Sequence, residues 1–298
     1  MNVWKLPEIV IAPEQIFVIP GINFPVTNTL LCTWITIVVL LGLFFFGTRR
    51  RDMIPSGLQN FLEWVIEGLL GLVESVSGKE KGKRFFPLVA SFFLFIVVAN
   101  LLDVIPGVDT IGSVKADEVL KAGGNPNAVL LFGAASNLIT PWIRPATTDL
   151  NLTLAMAIVS VVVTQGFGFY LLGTGTHLTK YFNFKALFTK GPMGIIDLFV
   201  GLLEIVSELG RIISFSFRLF GNVFAGSVLL AVFAFLSYGV LNIIFIPLEI
   251  FIAFIQALVF SMLTLVFLEL GTTSHDHGEH SEGEHAAHTQ ETTATAHS

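Results

Sequence analysis

An all-α, polytopic membrane fold is predicted by three features of the sequence. Hydrophobic residues make up 53% of the 298 positions and charged residues only 13%. Several apolar runs reach or exceed the ~20 residues a helix needs to cross a bilayer. Those runs are continuous and lack the alternation of membrane barrel strands. The expected architecture is three spanning helices, one amphipathic membrane-surface helix, and a C-terminal hairpin of two long, inclined intramembrane helices. A single cysteine, Cys32, excludes an intrachain disulfide and reads as a packed or lipid-facing small residue. No repeat of fixed period and no cleavable signal pattern is present.

In chain order, residues 1–25 read as an extended lead outside the membrane, and 26–270 as one membrane domain. Val26 to Phe46 is the first expected span; Asn28 can cap its start and Arg49, Arg50 and Arg51 stop it. After Pro55, the residues Leu58, Phe61, Leu62, Val65, Leu69, Leu72 and Val73 form an apolar stripe opposed by Gln59, Glu63, Glu67 and Glu74. That pattern suits a helix lying on the membrane surface or against neighbouring helices. The basic cluster Lys79, Lys81, Lys83 and Arg84 precedes a second span from Phe85 to Ile105, closed by Pro106 and Gly107. Residues 107–148 read as a long connection, with a short amphipathic piece near Lys115–Lys121 and an apolar piece from Val129 to Ile143. Leu150 to Leu172 is the third span, followed by a polar hinge with Lys180, Lys185 and Lys190.

Basic residues orient the chain. The stretches 49–84 and 173–192 carry ten of the sixteen Lys and Arg, which places them in the cytoplasm and the N-terminus outside. Met193 to Ser237 is proline-free and mostly apolar; as a straight helix it would be about 67 Å long, against a hydrocarbon layer of ~30 Å. It therefore either hides a break or lies inclined, and Leu241 to Leu270 is overlong as well. A turn at Ser237, Tyr238 and Gly239 would make the two a hairpin, residues 193–270. Residues 271–298 hold six of the seven histidines and read as a solvated, disordered tail, with no metal site expected and the C-terminus cytoplasmic.

The long run carries Glu204, Glu208, Arg211, Arg218 and Asn222, spaced four, three, seven and four residues apart, so on a helix they share one face. A charge at membrane depth costs roughly 2.5–3.5 kcal/mol on insertion scales and needs a partner or a water-filled cavity. Arg218 is flanked by Phe215, Phe217, Leu219 and Phe220. Arginine keeps its proton, so Arg218 is expected to be a fixed positive charge that attracts a carboxylate. Glu204 and Glu208 can instead serve the polar start of the helix, and Glu208 can pair with Arg211. On the last helix Asn242, Glu249 and Gln256 recur every seven residues, again on one face.

These residues carry a resemblance. FRLFGNVFAG at 217–226, followed by Gln256 in FIQALVFSMLTLVFL, resembles subunit a of the rotary F-type ATP synthases. PSGLQNFLEWVIE at 55–67, FFPLVASFFLFIVVANLLDVIPG at 85–107, TTDLNLTLAMAI at 147–158 and LLEIVSELGRIISFSFRLFGN at 202–222 support it, and together the likeness covers about residues 25–270. The resemblance implies a stator subunit of the proton-translocating membrane sector, facing a ring of c subunits that each carry a mid-membrane carboxylate. It implies two offset half-channels, and as partners the c-ring, peripheral-stalk b subunits, other ATP synthase subunits and the lipid bilayer, with no nucleic acid. Arg218 then matches the essential arginine, Asn222 and Gln256 the polar residues flanking it, and Glu204 an acid of the half-channel region. Asp149 and Asn151 match polar residues before and in the preceding span, and Glu208 joins the proton-translocation set. Many bacterial relatives have a carboxylate where this chain has Ser227 and a histidine where it has Glu249, so the relay is expected to run through Glu249 and water. No catalytic residue, cofactor or metal is implied. The expected location is an energy-coupling membrane, the bacterial plasma membrane.

Two other classes fit part of the pattern. A secondary ion-coupled transporter would also keep charges in the membrane, but no two-half internal symmetry is present. A purely structural assembly subunit would tolerate loss of Arg218.

Overall fold

The computed structural model describes residues 12–19, 21, 23–49, 57–105, 111–114, 139–173, 192–237 and 242–272. The expected pieces at 115–121 and 129–138, the lysine hinge, the turn at 238–241 and the tail after 272 lie outside the described residues. The chain forms two compact units, one of Met1–Val161 with Val206–Val266, the other of Val162–Ile205 with Phe267–Ser298.

The first unit opens with an antiparallel ribbon, β1 (Gln15–Ile19) against β2 (Phe24–Thr27), which leads straight into helix α1 (Asn28–Thr48). From Gln15 to Thr27 the described residues are mostly extended and paired with one another. The helix cap is Thr27, whose hydroxyl accepts from the Leu30 N–H, and not Asn28. Asn28 is the first helical residue and its Oδ1 accepts from the next N–H, that of Thr29. Helix α1 holds the β-branched run Ile35 to Val39, a poor helix former in water. In lipid no other partner exists for its backbone groups, and the helix is kept.

Helix α2 (Leu58–Val104) joins what the sequence suggested were two elements. The amphipathic segment and the second span meet at Gly78, whose φ of 71° and ψ of 170° break the helical path. Only glycine holds such a conformation without strain. The basic cluster Lys79–Arg84 forms the first turns of the second half, because one glycine suffices to turn the chain. The amphipathic half buries Leu62, Leu69 and Val73, and leaves Phe61, Trp64, Leu72 and Val76 exposed.

A second ribbon, β3 (Gly112–Val114) with β4 (Ile139–Pro141), and a 3-10 turn at Ala146–Thr148 lead to helix α3 (Leu150–Leu172), whose bounds match the expected third span. Helix α4 (Pro192–Ser237) is continuous over 46 residues, with no break, and helix α5 (Asn242–Thr272) follows. Pro247 falls in the second turn of α5, near the end where a missing N–H costs least. Among the described residues, five helices are long and apolar enough to cross a membrane. The outward faces agree: Val38, Leu41, Phe45 and Phe46 of α1 are all more than 60% exposed, a surface suited to lipid and not to water.

Within the first unit the small side chains Cys32, Ala99 and Ala146 let α1, α2 and the 3-10 turn approach closely. Cys32 is a fully buried free thiol, so its packed reading holds. Phe260 of α5 meets Phe92 of α2 edge-on and Phe215 of α4, both with ring centroids 5.3 Å apart. Hydroxyl pairs tie the helices across apolar surroundings: Ser160 with Thr264 at 2.9 Å and Thr153 with Ser216 at 3.2 Å.

Candidate functional site

Four contacts set the register between α4 and α5. Phe215 meets Phe260, Asn222 meets Gln256, Gly226 meets Glu249, and Phe233 stacks on Phe245 with centroids 4.3 Å apart. As the residue numbers rise along α4 they fall along α5, so the two helices pack antiparallel over four turns or more. Over this stretch polar residues of the two helices, Asn222 and Gln256, face each other.

The stripe Arg218, Asn222, Gly226 follows the i, i+4, i+8 face of α4. The Asn222 side-chain amide donates to Gln256 Oε1 at 2.6 Å. Asn222 is exposed, Gln256 only 5% exposed, so the bond runs from the outer surface into the unit. Gln256 Nε2 is buried and makes no hydrogen bond in turn. A buried donor without a partner costs ~1–3 kcal/mol, which makes this amide a natural place for water.

One turn further, Glu249 is 6% exposed and its carboxylate lies against Gly226. A Cβ at position 226 would collide with both carboxylate oxygens. The glycine is what admits an acid at this depth of the helix pair. Beside it, the Ser227 hydroxyl donates to Asp103 Oδ2 at 3.0 Å, bringing an acid from α2 to the same level of α4. Asp103 was legible as an acid near the end of the second span but not as part of the site. An acid in an apolar run three residues before a proline was the available signal.

Arg218 differs from every other polar group on this seam. It is exposed, in mid-helix, and among the described residues no carboxylate approaches it. Its guanidinium carbon lies 6.0 Å from the centroid of the Phe215 ring, at the outer limit of a cation–π attraction. Arg211, by contrast, is paired: Nη1 donates to both oxygens of Glu208, at 3.0 and 3.1 Å. The reading of Glu208 as a partner for Arg211 is thereby the one the geometry adopts. Glu204 is half-buried on the part of α4 that belongs to the second unit.

Asp149 stands where the 3-10 turn gives way to α3. One carboxylate oxygen accepts the Asn151 N–H at 2.9 Å, capping the helix, and the other accepts the Thr29 hydroxyl of α1 at 3.0 Å. Asn151 itself is exposed, its backbone serving the cap. Nearby, Thr147 donates to Asn100 Oδ1 at 2.6 Å, and Asn28 and Asn100 each keep a buried Nδ2 with no partner. A polar, under-satisfied patch thus lies beside the same end of α1, α2 and α3. Among the described residues no group of His, Cys, Asp and Glu is arranged to hold a metal ion.

The fold and this seam define the class: polytopic helical membrane proteins that carry charged and amide groups along the contact of two long apolar helices. Comparison with known proteins narrows it. The family model described as ATP synthase A chain matches residues 30–269, most of the chain, and the chain belongs to that family. It is similar to ATP synthase subunit a of Moorella thermoacetica, 30% identical over 258 residues, or 87% of this chain and 95% of the relative. It is also similar to subunit a of Geobacter sp. strain M21, 30% identical over 245 residues covering 82% and 87%. Subunit a of Oceanobacillus iheyensis is 28% identical over 273 residues, covering 89% and 97%.

Proposed function

We propose that this chain is the stator subunit of the proton-translocating membrane sector of a rotary ATP synthase, presenting Arg218 to a carboxylate on a ring of c subunits. The observation that carries the reading is the state of Arg218: a permanent cation, exposed in mid-helix, with no carboxylate near it among the described residues. Such a charge is costly in lipid, and a carboxylate on another chain offsets that cost. Membership of the family supports the assignment to ion transport in ATP synthesis, and bacterial relatives support the plasma membrane as its location.

The chemistry runs as follows. A ring carboxylate opposite Arg218 stays ionised, because a nearby opposite charge favours the charged form. To leave the arginine for lipid it must take a proton, since a bare carboxylate in hydrocarbon is far costlier. Two half-channels, offset on either side of Arg218, deliver and remove that proton. Glu249, with Asp103 and Ser227 beside Gly226, supplies ionisable and hydroxyl groups for one of them, and Asn222 with Gln256 links that cluster to the arginine face. Glu204, Glu208, Asp149 and Asn151 belong to the polar margins of the path. Arg218 between the half-channels blocks direct proton leak, and each charge crossing 100 mV supplies about 2.3 kcal/mol. The c-ring, peripheral-stalk b subunits and other ATP synthase subunits are the partners. The N-terminus faces outside and the C-terminus the cytoplasm, following the basic residues. Helix α4, about 69 Å long at the helical rise per residue, lies inclined in a layer of ~30 Å.

The test is ATP synthesis and ATP-driven acidification in membrane vesicles carrying Arg218→Ala, with the variant confirmed in the assembled complex. The expected result is no coupled transport with normal insertion. Normal synthesis would overturn the assignment.

A further inference from the structure

Helix α4 carries two arginines on one flank in opposite states. Arg211 and Arg218 are seven residues apart, about 20° short of two full turns, so their Cα atoms lie almost in line along the helix. Arg218 is exposed. The Arg211 side chain is only 17% exposed and is drawn against Glu208, 13% exposed, with Nη1 donating to both carboxylate oxygens. Glu208, Phe215 and Leu219 form one row along the helix, and the last two are buried. The contact thus takes the Arg211 guanidinium off the exposed flank and toward the packed side of α4.

The inclined lie proposed for α4 gives this spacing a consequence. Seven residues span about 10.5 Å of helix axis. A 46-residue helix about 69 Å long that stays within ~30 Å of hydrocarbon turns at most about 5 Å of that into depth, which leaves at least about 9 Å of sideways displacement. Arg211 is therefore offset from Arg218 mainly in the plane of the membrane, along the face that Arg218 presents. A rotating ring carries its carboxylates in that plane. A second cation on the face would hold a passing carboxylate ionised once more. The carboxylate would then pass from one arginine to the next without exchanging a proton, and the ring would slip or stall.

We infer, resting on the reading of Arg218 as the cation that the ring carboxylate meets, that Glu208 is a positioning residue for proton transfer: it cancels and withdraws Arg211, so that the ring meets one permanent cation on α4 and not two. Glu208 acts through Arg211 and does not itself pass the proton on. The two members of the pair are then not equivalent. A carboxylate left alone in the membrane sheds its charge by taking up a proton, whereas a guanidinium left alone stays charged.

The experiment measures ATP-driven acidification per assembled complex in vesicles carrying Glu208→Gln, Arg211→Gln, or both substitutions together. Glu208→Gln removes the counter-charge of Arg211 and is expected to lower the rate about tenfold or more. Arg211→Gln should lower it less than about threefold, and the double variant should regain at least about a third of the wild-type rate. A pair that served only to hold the fold would lose the same contact in either single variant. A loss in Arg211→Gln as large as that in Glu208→Gln therefore overturns the inference, as does a double variant slower than about a third of wild type. If Glu208→Gln does not assemble, the double variant decides on the same threshold: a faster rate upholds the inference and a slower one overturns it. Arg218→Ala, measured alongside, separates the two readings. Normal transport there means that the ring-facing role of Arg218 fails as well; no transport there, with equal losses in the two pair variants, means that only the role of Glu208 fails.

Discussion

The Glu249 carboxylate rests against the bare Cα of Gly226, and any β-carbon there would overlap its oxygens. The pair couples a backbone feature of α4 to an ionisable group of α5, and it makes the first prediction specific. Gly226→Ala should leave helix propensity slightly improved but push Glu249 out of place, at an overpacking cost of ~1–3 kcal/mol. ATP-driven acidification should fall about tenfold or more with the complex still assembled. Gly226→Ala combined with Glu249→Asp, whose carboxylate is one methylene shorter, should recover part of the loss. Unimpaired pumping by Gly226→Ala would show that the position of Glu249 does not matter.

Glu249→Gln should slow transport far more than Ser227→Ala. A relay needs a group that changes its protonation state, and an amide cannot. Ser227→Ala removes one hydrogen bond to Asp103 and leaves the acid in place. Asp103→Asn should therefore fall between them or join Glu249→Gln. Acidification rates of the three variants in vesicles rank them; equal rates would mean that water alone carries the proton past this level.

Arg218→Lys should fail nearly as completely as Arg218→Ala. Lysine keeps a charge but lacks the planar fork and gives up its proton more readily when buried. Passive proton leak, measured with the ring stalled by omission of nucleotide, should rise in Arg218→Ala and rise less in Arg218→Lys. A tight, fully coupled Arg218→Lys enzyme would reduce the arginine to a simple point charge.

Gly78→Ala should lower the yield and thermal stability of the assembled protein without touching the proton path. At φ 71° a side chain is strained, at a cost on the order of 1–3 kcal/mol. The expected readout is a lower melting temperature with normal activity per assembled complex. Unchanged stability would mean that α2 tolerates straightening at this point.

How much of this was open to reading depends on which interactions are local. Leu150–Leu172 was fixed by its own run of apolar residues between a polar entry and a glycine, and the structure keeps those bounds. The stretch before Ser237 left a hidden break or one long helix both open, and the structure shows one continuous helix. The pairing of Arg211 with Glu208 was legible because three residues on a helix is a contact distance. Asn28 was the cap read from the sequence, and Thr27 takes the role because the backbone is still extended there. Gly78 looked like one more small residue because its positive φ has no signature in composition. The contact of Asp103 with Ser227 spans 124 positions, and that of Gly226 with Glu249 depends on the register of two helices. A single sequence holds the chemistry of those residues but not the geometry that brings them together.

Along α4, three side chains in succession are hydrogen-bonded to three different neighbours: Ser216 to Thr153 of α3, Asn222 to Gln256 of α5, and Ser227 to Asp103 of α2. Ser216 and Ser227 are eleven residues apart, about three full turns, and share one side of the helix, while Asn222 between them points to another. Arg218 sits between the first and second. A helix moored on two sides at three levels behaves as a mast with stays: a sideways pull at one point is shared by all of them and produces little displacement. Any lateral force borne by the Arg218 guanidinium therefore passes, within about two turns, into α2, α3 and α5, and α4 meets its load as a stiff element and not as a spring.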